Sequence, residues 1–241
     1  WRCAQKNELK PWQVRSWCIP ETSARFVAQM EDILSVYQQP YDAKRPQVCL
    51  DEIHKNLRST PKGEIPMEKG KPKREDYEYE RHSKCALFMA VEPLAGFRQV
   101  WVRSQRTKLD FAIILKELVD DVYPEADKIV LVTDNLNIHH AACLYERYSP
   151  AEARRIAEKI EWHYTPVHAS WLNIAECELS VLRRQCLRVR LPDITTVSEK
   201  VAAWTQYRNS KQVGIDWRFT TQEARIKLKR LYPVVNVQYS T

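Results

Sequence analysis

Apolar residues along this chain keep two rhythms. Short β-prone runs recur at Gln47–Ile53, Cys85–Val91, Arg98–Val102, Lys128–Thr133 and Ile160–Tyr164, each bounded by turn residues. Other stretches follow helical spacing. Val27, Met30, Leu34 and Tyr37 predict an amphipathic helix over Glu21–Tyr37. Phe111, Ile114, Leu115, Leu118 and Val122 predict another over Lys108–Val122, closed by Pro124. Further helices are expected at Ile138–Tyr148, at Pro150–Lys159 with Pro150 in its first turn, and from a Ser170 N-cap to about Leu187. Two more follow at Thr196–Arg208 and Thr221–Leu231. The order β-β-β-α-β-α-β, then helices, predicts an α/β fold with a mixed five-stranded sheet flanked by helices. In it Lys128–Thr133 is a parallel partner of the first strand, and Cys85–Val91 and Arg98–Val102 are antiparallel neighbours.

Two regions lack either rhythm. Residues 1–20 are punctuated by Pro11, Trp12, Trp17 and Pro20 and read as the end of a preceding module and a linker. Residues 54–83 hold three prolines, two glycines and a dense mixture of acids and bases, and are expected to form a long inserted loop. The expected division is a linker with a helix over 1–45, a catalytic domain over 46–232 and a tail over 233–241.

Composition narrows the class. The 241 residues are 44% hydrophobic and 29% charged, ordinary for a globular protein with one sizeable core. No apolar stretch is long enough for a membrane span, and no signal peptide is visible at Trp1. A net charge of +7 favours a polyanionic partner. Seven scattered cysteines with no Cys-x-x-Cys pair suit reduced thiols in a cytoplasmic setting. Only four glycines occur, in neither nucleotide-cradling pattern, so a small-molecule nucleotide cofactor is not expected.

Chemistry enters where apolar runs meet acids. Val48-Cys49-Leu50-Asp51-Glu52 and Val130-Leu131-Val132-Thr133-Asp134-Asn135 each close on an aspartate. A carboxylate at a buried strand end calls for a facing cation or donor. If the strands are parallel neighbours about 4.8 Å apart, the two carboxylates come within reach of one metal. A third acid from the Ser170 helix would complete a site for two divalent cations, suited to phosphoryl chemistry. Helix geometry does not choose that acid. Glu176 and Glu178 flank the stripe Leu172, Ala175, Leu179, Leu182 and Cys186 on opposite sides.

At these residues the chain resembles the DDE transposases of the mariner superfamily, in particular the bacterial insertion-sequence branch. The resemblance is carried by Asp51-Glu52, by Asp134-Asn135 with His139, and by Pro166 followed by Leu172-Asn173-Ile174-Ala175-Glu176. It spans about residues 45–232 and selects Glu176 over Glu178. It implies a ribonuclease-H-like fold and a catalytic, metal-binding triad of Asp51, Asp134 and Glu176 with two Mg²⁺ (or Mn²⁺) ions. The implied activity is cut-and-paste transposition. Transposon-end DNA is hydrolysed, and the freed 3′-hydroxyl joins target DNA, typically at TA. Double-stranded DNA, a homodimer at synapsis and a bacterial cytoplasmic, nucleoid-associated location follow from it. Two departures stand out. Glu176 lies further from Asp134 than is usual, with the surplus in Ser149–Lys159, and only Trp1–Lys10 remains of the helix-turn-helix modules expected before the linker. Another ribonuclease-H-like nuclease or integrase, and an inactive domesticated DNA-binding protein, are the alternatives.

Around the triad, His139, His168, Trp171, Asn173, Arg183 and Arg184 are candidate DNA contacts. Lys69, Lys71, Lys73 and Arg74 lie in the loop that clamps a partner subunit in mariner relatives. Trp101, Trp162 and Trp204 read as core.

Overall fold

The computed structural model describes residues 23–136 and 138–233. Trp1–Lys10, the start of the linker and nearly all of the 233–241 tail lie outside them. The chain enters through α1 (Ala24–Tyr37), capped by Ser23, whose hydroxyl accepts from the Phe26 amide. It then forms β1 (Gln47–Ser59), β2 (Glu64–Ile65), β3 (Arg74–Glu75), β4 (Glu80–Glu92) and β5 (Phe97–Arg103). Helix α2 (Lys108–Glu117) continues into a wider turn at Leu118–Val122 before β6 (Ile129–Thr133). Helices α3 (Ala142–Arg147) and α4 (Pro150–Glu158) lead to β7 (Ile160–Tyr164). After a 3₁₀ turn at Ser170–Leu172 come α5 (Ile174–Gln185), α6 (Ile194–Ser210) and α7 (Thr221–Lys227).

The main sheet has the order β5-β4-β1-β6-β7. The β1/β4 and β4/β5 pairs are antiparallel, while β1/β6 and β6/β7 are parallel. Each buried strand is apolar on both faces, so two cores form. Cys49, Leu87, Met89, Val91, Val130 and Val132 pack under α1, α5 and α6. Val48, Leu50, Phe88, Ile129 and Leu131 pack on the other face against α2, α3 and α4. This is the mixed five-stranded, ribonuclease-H-like sheet expected.

Three expectations are corrected. Residues 54–83 are not one loop, because β1 runs on to Ser59 and β4 starts at Glu80, paired as a long hairpin arm. Its strands are polar on both sides near the tip, and cross-strand backbone bonds supply what apolar burial does not. Within the tip, β2 and β3 form a second small hairpin. Asp51 therefore does not end its strand. Ser170 does not cap a helix either. It opens the 3₁₀ turn, and Asn173 caps α5 by accepting from the Ala175 amide at 3.1 Å.

Candidate active site

Strand register sets the two aspartates level. The parallel ladder pairs Cys49 with Val132, and Asp51 and Asp134 each lie two residues further on. By the period of two, both share a face with Cys49 and Val132, the face covered by α5. There β6 ends and leaves β1, opening a groove beside Asp51. Helix α5 presents Glu176, Leu179, Ser180 and Arg183 to it, and these line a cavity of about 320 Å³ with Asp51 and Glu52. Glu176 is exposed, while Asp51 is buried.

Asp51 is held by neutral donors. The Glu52 amide donates to Asp51 Oδ1 at 2.7 Å, and Asn173 Nδ2 donates to Asp51 Oδ2 at 3.3 Å. Burial, and then the charges of Glu52, Asp134 and Glu176, push its carboxyl up to about 7, and the Glu52 amide offsets only part of this. The charges of Asp134 and Glu176 thus reach Asp51 across the groove.

Asp134 is held differently. His139, fully buried against Phe111, reaches Asp134 Oδ1 with Nδ1. Its Nε2 lies 3.0 Å from Glu52 Oε2, a charge contact off the line of a hydrogen bond. Arg106 Nη1 binds the other Glu52 oxygen at 2.9 Å. Burial lowers the His139 imidazole, but the two carboxylates outweigh it and raise it to about 9. Burial likewise raises Asp134, and the His139 contact reverses this, leaving it below its ordinary value.

Glu178 occupies a separate structural network. It is buried, and Arg98 Nε, itself fully buried, donates to its Oε2 at 2.7 Å. Arg208 Nη2 donates to its Oε1 at 2.7 Å. Arg98 Nη1 also donates to the Gly96 carbonyl at 2.8 Å. Glu178 is committed to joining α5, β5 and α6, whereas Glu176 opens to the groove.

Of the other candidates, Arg183 lines the groove and Arg184 is exposed outside that lining. His168, at φ 65, borders a cavity of about 220 Å³ that begins at Asp134. Trp171 is 43% exposed and meets Phe219 edge-on. His139 and Asn173 are both buried, His139 against Asp134 and Asn173 against Asp51. Lys69, Lys71, Lys73 and Arg74 are exposed on the tip, where Lys71 meets Glu68 at 3.0 Å and Lys73 meets Glu64 at 2.6 Å. Sequence reasoning missed the Glu52–His139–Asp134 chain and the Arg98–Glu178–Arg208 network. Only the Asp51-Glu52 doublet hinted at the first.

The donor set suits a hard divalent cation, being all carboxylate oxygen with excess negative charge around Asp51. Among the described residues, no three His, Cys, Asp or Glu side chains gather around one point closely enough to enclose an ion. Magnesium keeps several waters and needs only one or two carboxylates, so a preformed cage is not required.

Residues 46–198 match the DDE superfamily endonucleases, and the chain is a member of that family. Its fold is similar to that of the Mos1 mariner transposase. The Mos1 strand transfer complex aligns with TM-score 0.55 and 14% identity over 88% of this chain. The Mos1 paired-end complex with the left transposon end gives 0.53 and 14% over 88%, and the Mos1 paired-end complex with Mn gives 0.53 and 14% over 88%. The chain spans 64% to 66% of those three chains. No curated protein matches it. No helix among the described residues is long and apolar enough to cross a membrane.

Proposed function

We propose that this chain is the catalytic part of a mariner-type transposase of the bacterial insertion-sequence branch. In this reading it cuts transposon-end DNA and joins the freed 3′-hydroxyl to target DNA, with TA as the target, in a cut-and-paste reaction. The observation that carries it is the Cys49–Val132 register, which sets Asp51 and Asp134 level beneath the helix of Glu176. The family's endonuclease description and the likeness to Mos1 transposase complexes support the same class.

Asp51, Asp134 and Glu176 would hold two Mg²⁺ (or Mn²⁺) ions, which when bound activate the attacking oxygen and stabilise the leaving one. The chain's own residues do the rest. Asn173 fixes the Asp51 carboxylate, and His139 turns Asp134 and carries positive charge behind it. Arg183 offers a guanidinium at the groove mouth to a phosphate oxygen. In the first step water attacks phosphorus, the P–O3′ bond breaks and a 3′-hydroxyl is left. In the second, that hydroxyl attacks a target phosphodiester, forming one P–O bond as another breaks. The arm tip with Lys69, Lys71, Lys73 and Arg74 is proposed to grip a partner subunit, since two ends must be paired. His168, which lines the cavity that begins at Asp134, and the exposed Trp171 are proposed as DNA contacts. The expected setting is the bacterial cytoplasm, on nucleoid DNA.

The test is Asp134→Asn in a Mg²⁺- or Mn²⁺-dependent cleavage assay on a plasmid carrying the element's own ends. Cleavage is expected to fall by about 100-fold or more, as losing several kcal/mol of transition-state stabilisation requires. A folded variant that cuts as fast as the parent overturns the assignment.

A further inference from the structure

The groove does not stop at the carboxylates. Asp51, Ile53 and Lys55 lie on one face of β1 by its period of two. Sharing Ile53 and Arg183 with the carboxylate cavity, a second cavity of about 310 Å³ continues along the strand toward the arm. Lys55, Arg58, Arg183, Arg188 and Arg190 line it, and no carboxylate does. On the other side, the cavity that begins at Asp134 has no lysine or arginine in its lining. The cavity wall next to the acids therefore carries cations on the arm side and none on the Asp134 side, where Arg25 appears only in the next hollow along.

Three of these cations are fixed in place. Lys55 Nζ donates to the Leu187 carbonyl at 2.6 Å and to that of Val189 at 2.8 Å, fastening the α5–α6 connection to β1. The Arg58 amide donates to the Leu191 carbonyl at 2.7 Å. Its guanidinium lies 4.5 Å over the Tyr79 ring, and its Nε is buried with no hydrogen-bond partner. Arg190 sits 5.5 Å from the same ring and donates to the Glu78 carbonyl at 3.0 Å. Arg183 and Arg188 are exposed. Gathering like charges around a hollow is unfavourable unless an anion enters it.

We propose that this cleft is a subsite for backbone phosphates of the DNA strand flanking the scissile phosphate. The strand runs from the carboxylates along β1 to the base of the arm. The assignment rests on the nuclease reading above and adds a direction to it. Lys55 lies about 13 Å along β1 from Asp51, far enough to meet a different phosphate of the same strand. Guanidinium forks suit phosphate oxygens and carry no sequence information, so the subsite positions DNA without reading it.

Arg58→Gln, Arg188→Gln and their double variant test it. Each is titrated with a fluorescein-labelled duplex of random sequence in EDTA across a salt series, followed by anisotropy. The slope of log K against log salt should become shallower by about 0.9 for each single variant and about 1.8 for the double. Arg154→Gln, on α4 across the sheet, should leave the slope unchanged. If Arg58→Gln does not fold, the exposed Arg188→Gln and Arg183→Gln carry the test. An unchanged slope in Arg188→Gln, an equal change in Arg154→Gln, or no duplex binding at all overturns the subsite. Because EDTA removes catalysis, a shallower slope together with unimpaired Asp134→Asn cleavage keeps the subsite and sinks only the assignment of the catalytic carboxylates. Lost cleavage with an unmoved slope does the reverse.

Discussion

Asn173 Nδ2 donates to Asp51 Oδ2 at 3.3 Å and to the Leu50 carbonyl at 3.2 Å, while Asn173 Oδ1 caps α5. One buried side chain thus sets both where the Glu176 helix begins and how the first carboxylate is held. Asn173→Ala removes the cap and strands the Leu50 carbonyl. A loss of about 1–2 kcal/mol is expected in urea denaturation. A variant as stable as the parent would show that the fastening is not used.

The two glutamates of α5 should part company on stability. Glu178→Ala leaves Arg98 charged and buried without its partner, which costs about 3–5 kcal/mol. Glu176→Gln removes one of several crowded negative charges from an exposed position and should melt at or slightly above the parent temperature. Thermal melts of the two variants, read beside their cleavage rates, decide it. Cleavage retained in Glu176→Gln would contradict the assignment.

Glu92 supplies a pH dependence far from the groove. Its carboxyl is buried and accepts from Tyr123 Oη at 3.1 Å, and burial raises it above the ordinary carboxylate range. The folded chain therefore holds a proton that the unfolded chain has released. This contribution is fully present below the unfolded value of 4.5 and is lost as pH rises through the raised folded value. Glu92→Gln should melt about 2–4 °C higher than the parent at pH 7.5. The difference should vanish at pH values below 4.5, and a gain that persists there would point to a different cause.

Gly96 sits at φ +66 in the β4–β5 turn, and a Cβ there would lie 2.6 Å from the backbone of Gln212. Gly96→Ala should cost more than about 1–2 kcal/mol, since the left-handed strain alone is that large. Chemical denaturation checks it, and a neutral result would mean that the 212–214 segment yields.

The sheet was legible because its strands are apolar on both faces, a signal that composition carries directly. The arm was not. Lys55, Arg58, Glu80 and Arg81 belong to strands whose partners are each other's backbones, and alternating charge looks the same in a loop. Asp51 and Asp134 stood out as acids closing apolar runs, although Asp51 proves to be mid-strand. Glu178 and Glu176 looked equivalent because the partners that separate them, Arg98 and Arg208, lie 80 and 30 positions away in sequence. His139 read as a candidate DNA contact beside the second aspartate, and nothing local marks a histidine for burial between two carboxylates. Asn173 lost the cap to Ser170 on sequence because both residues are good caps, and only the 3₁₀ turn distinguishes them.

The β1–β4 ladder slips register once, between Asn56 and Arg58. Such a slip bends a strand and loosens its pairing. Below it, Cys49 to Asn56 stay matched residue for residue with β4, and above it the arm continues. The slip falls where Leu57 is buried in the core and the Arg58 amide binds the Leu191 carbonyl at 2.7 Å. The bend it puts in β1 is therefore held by the connection between α5 and α6, and the direction in which the arm leaves the sheet is set by that packing.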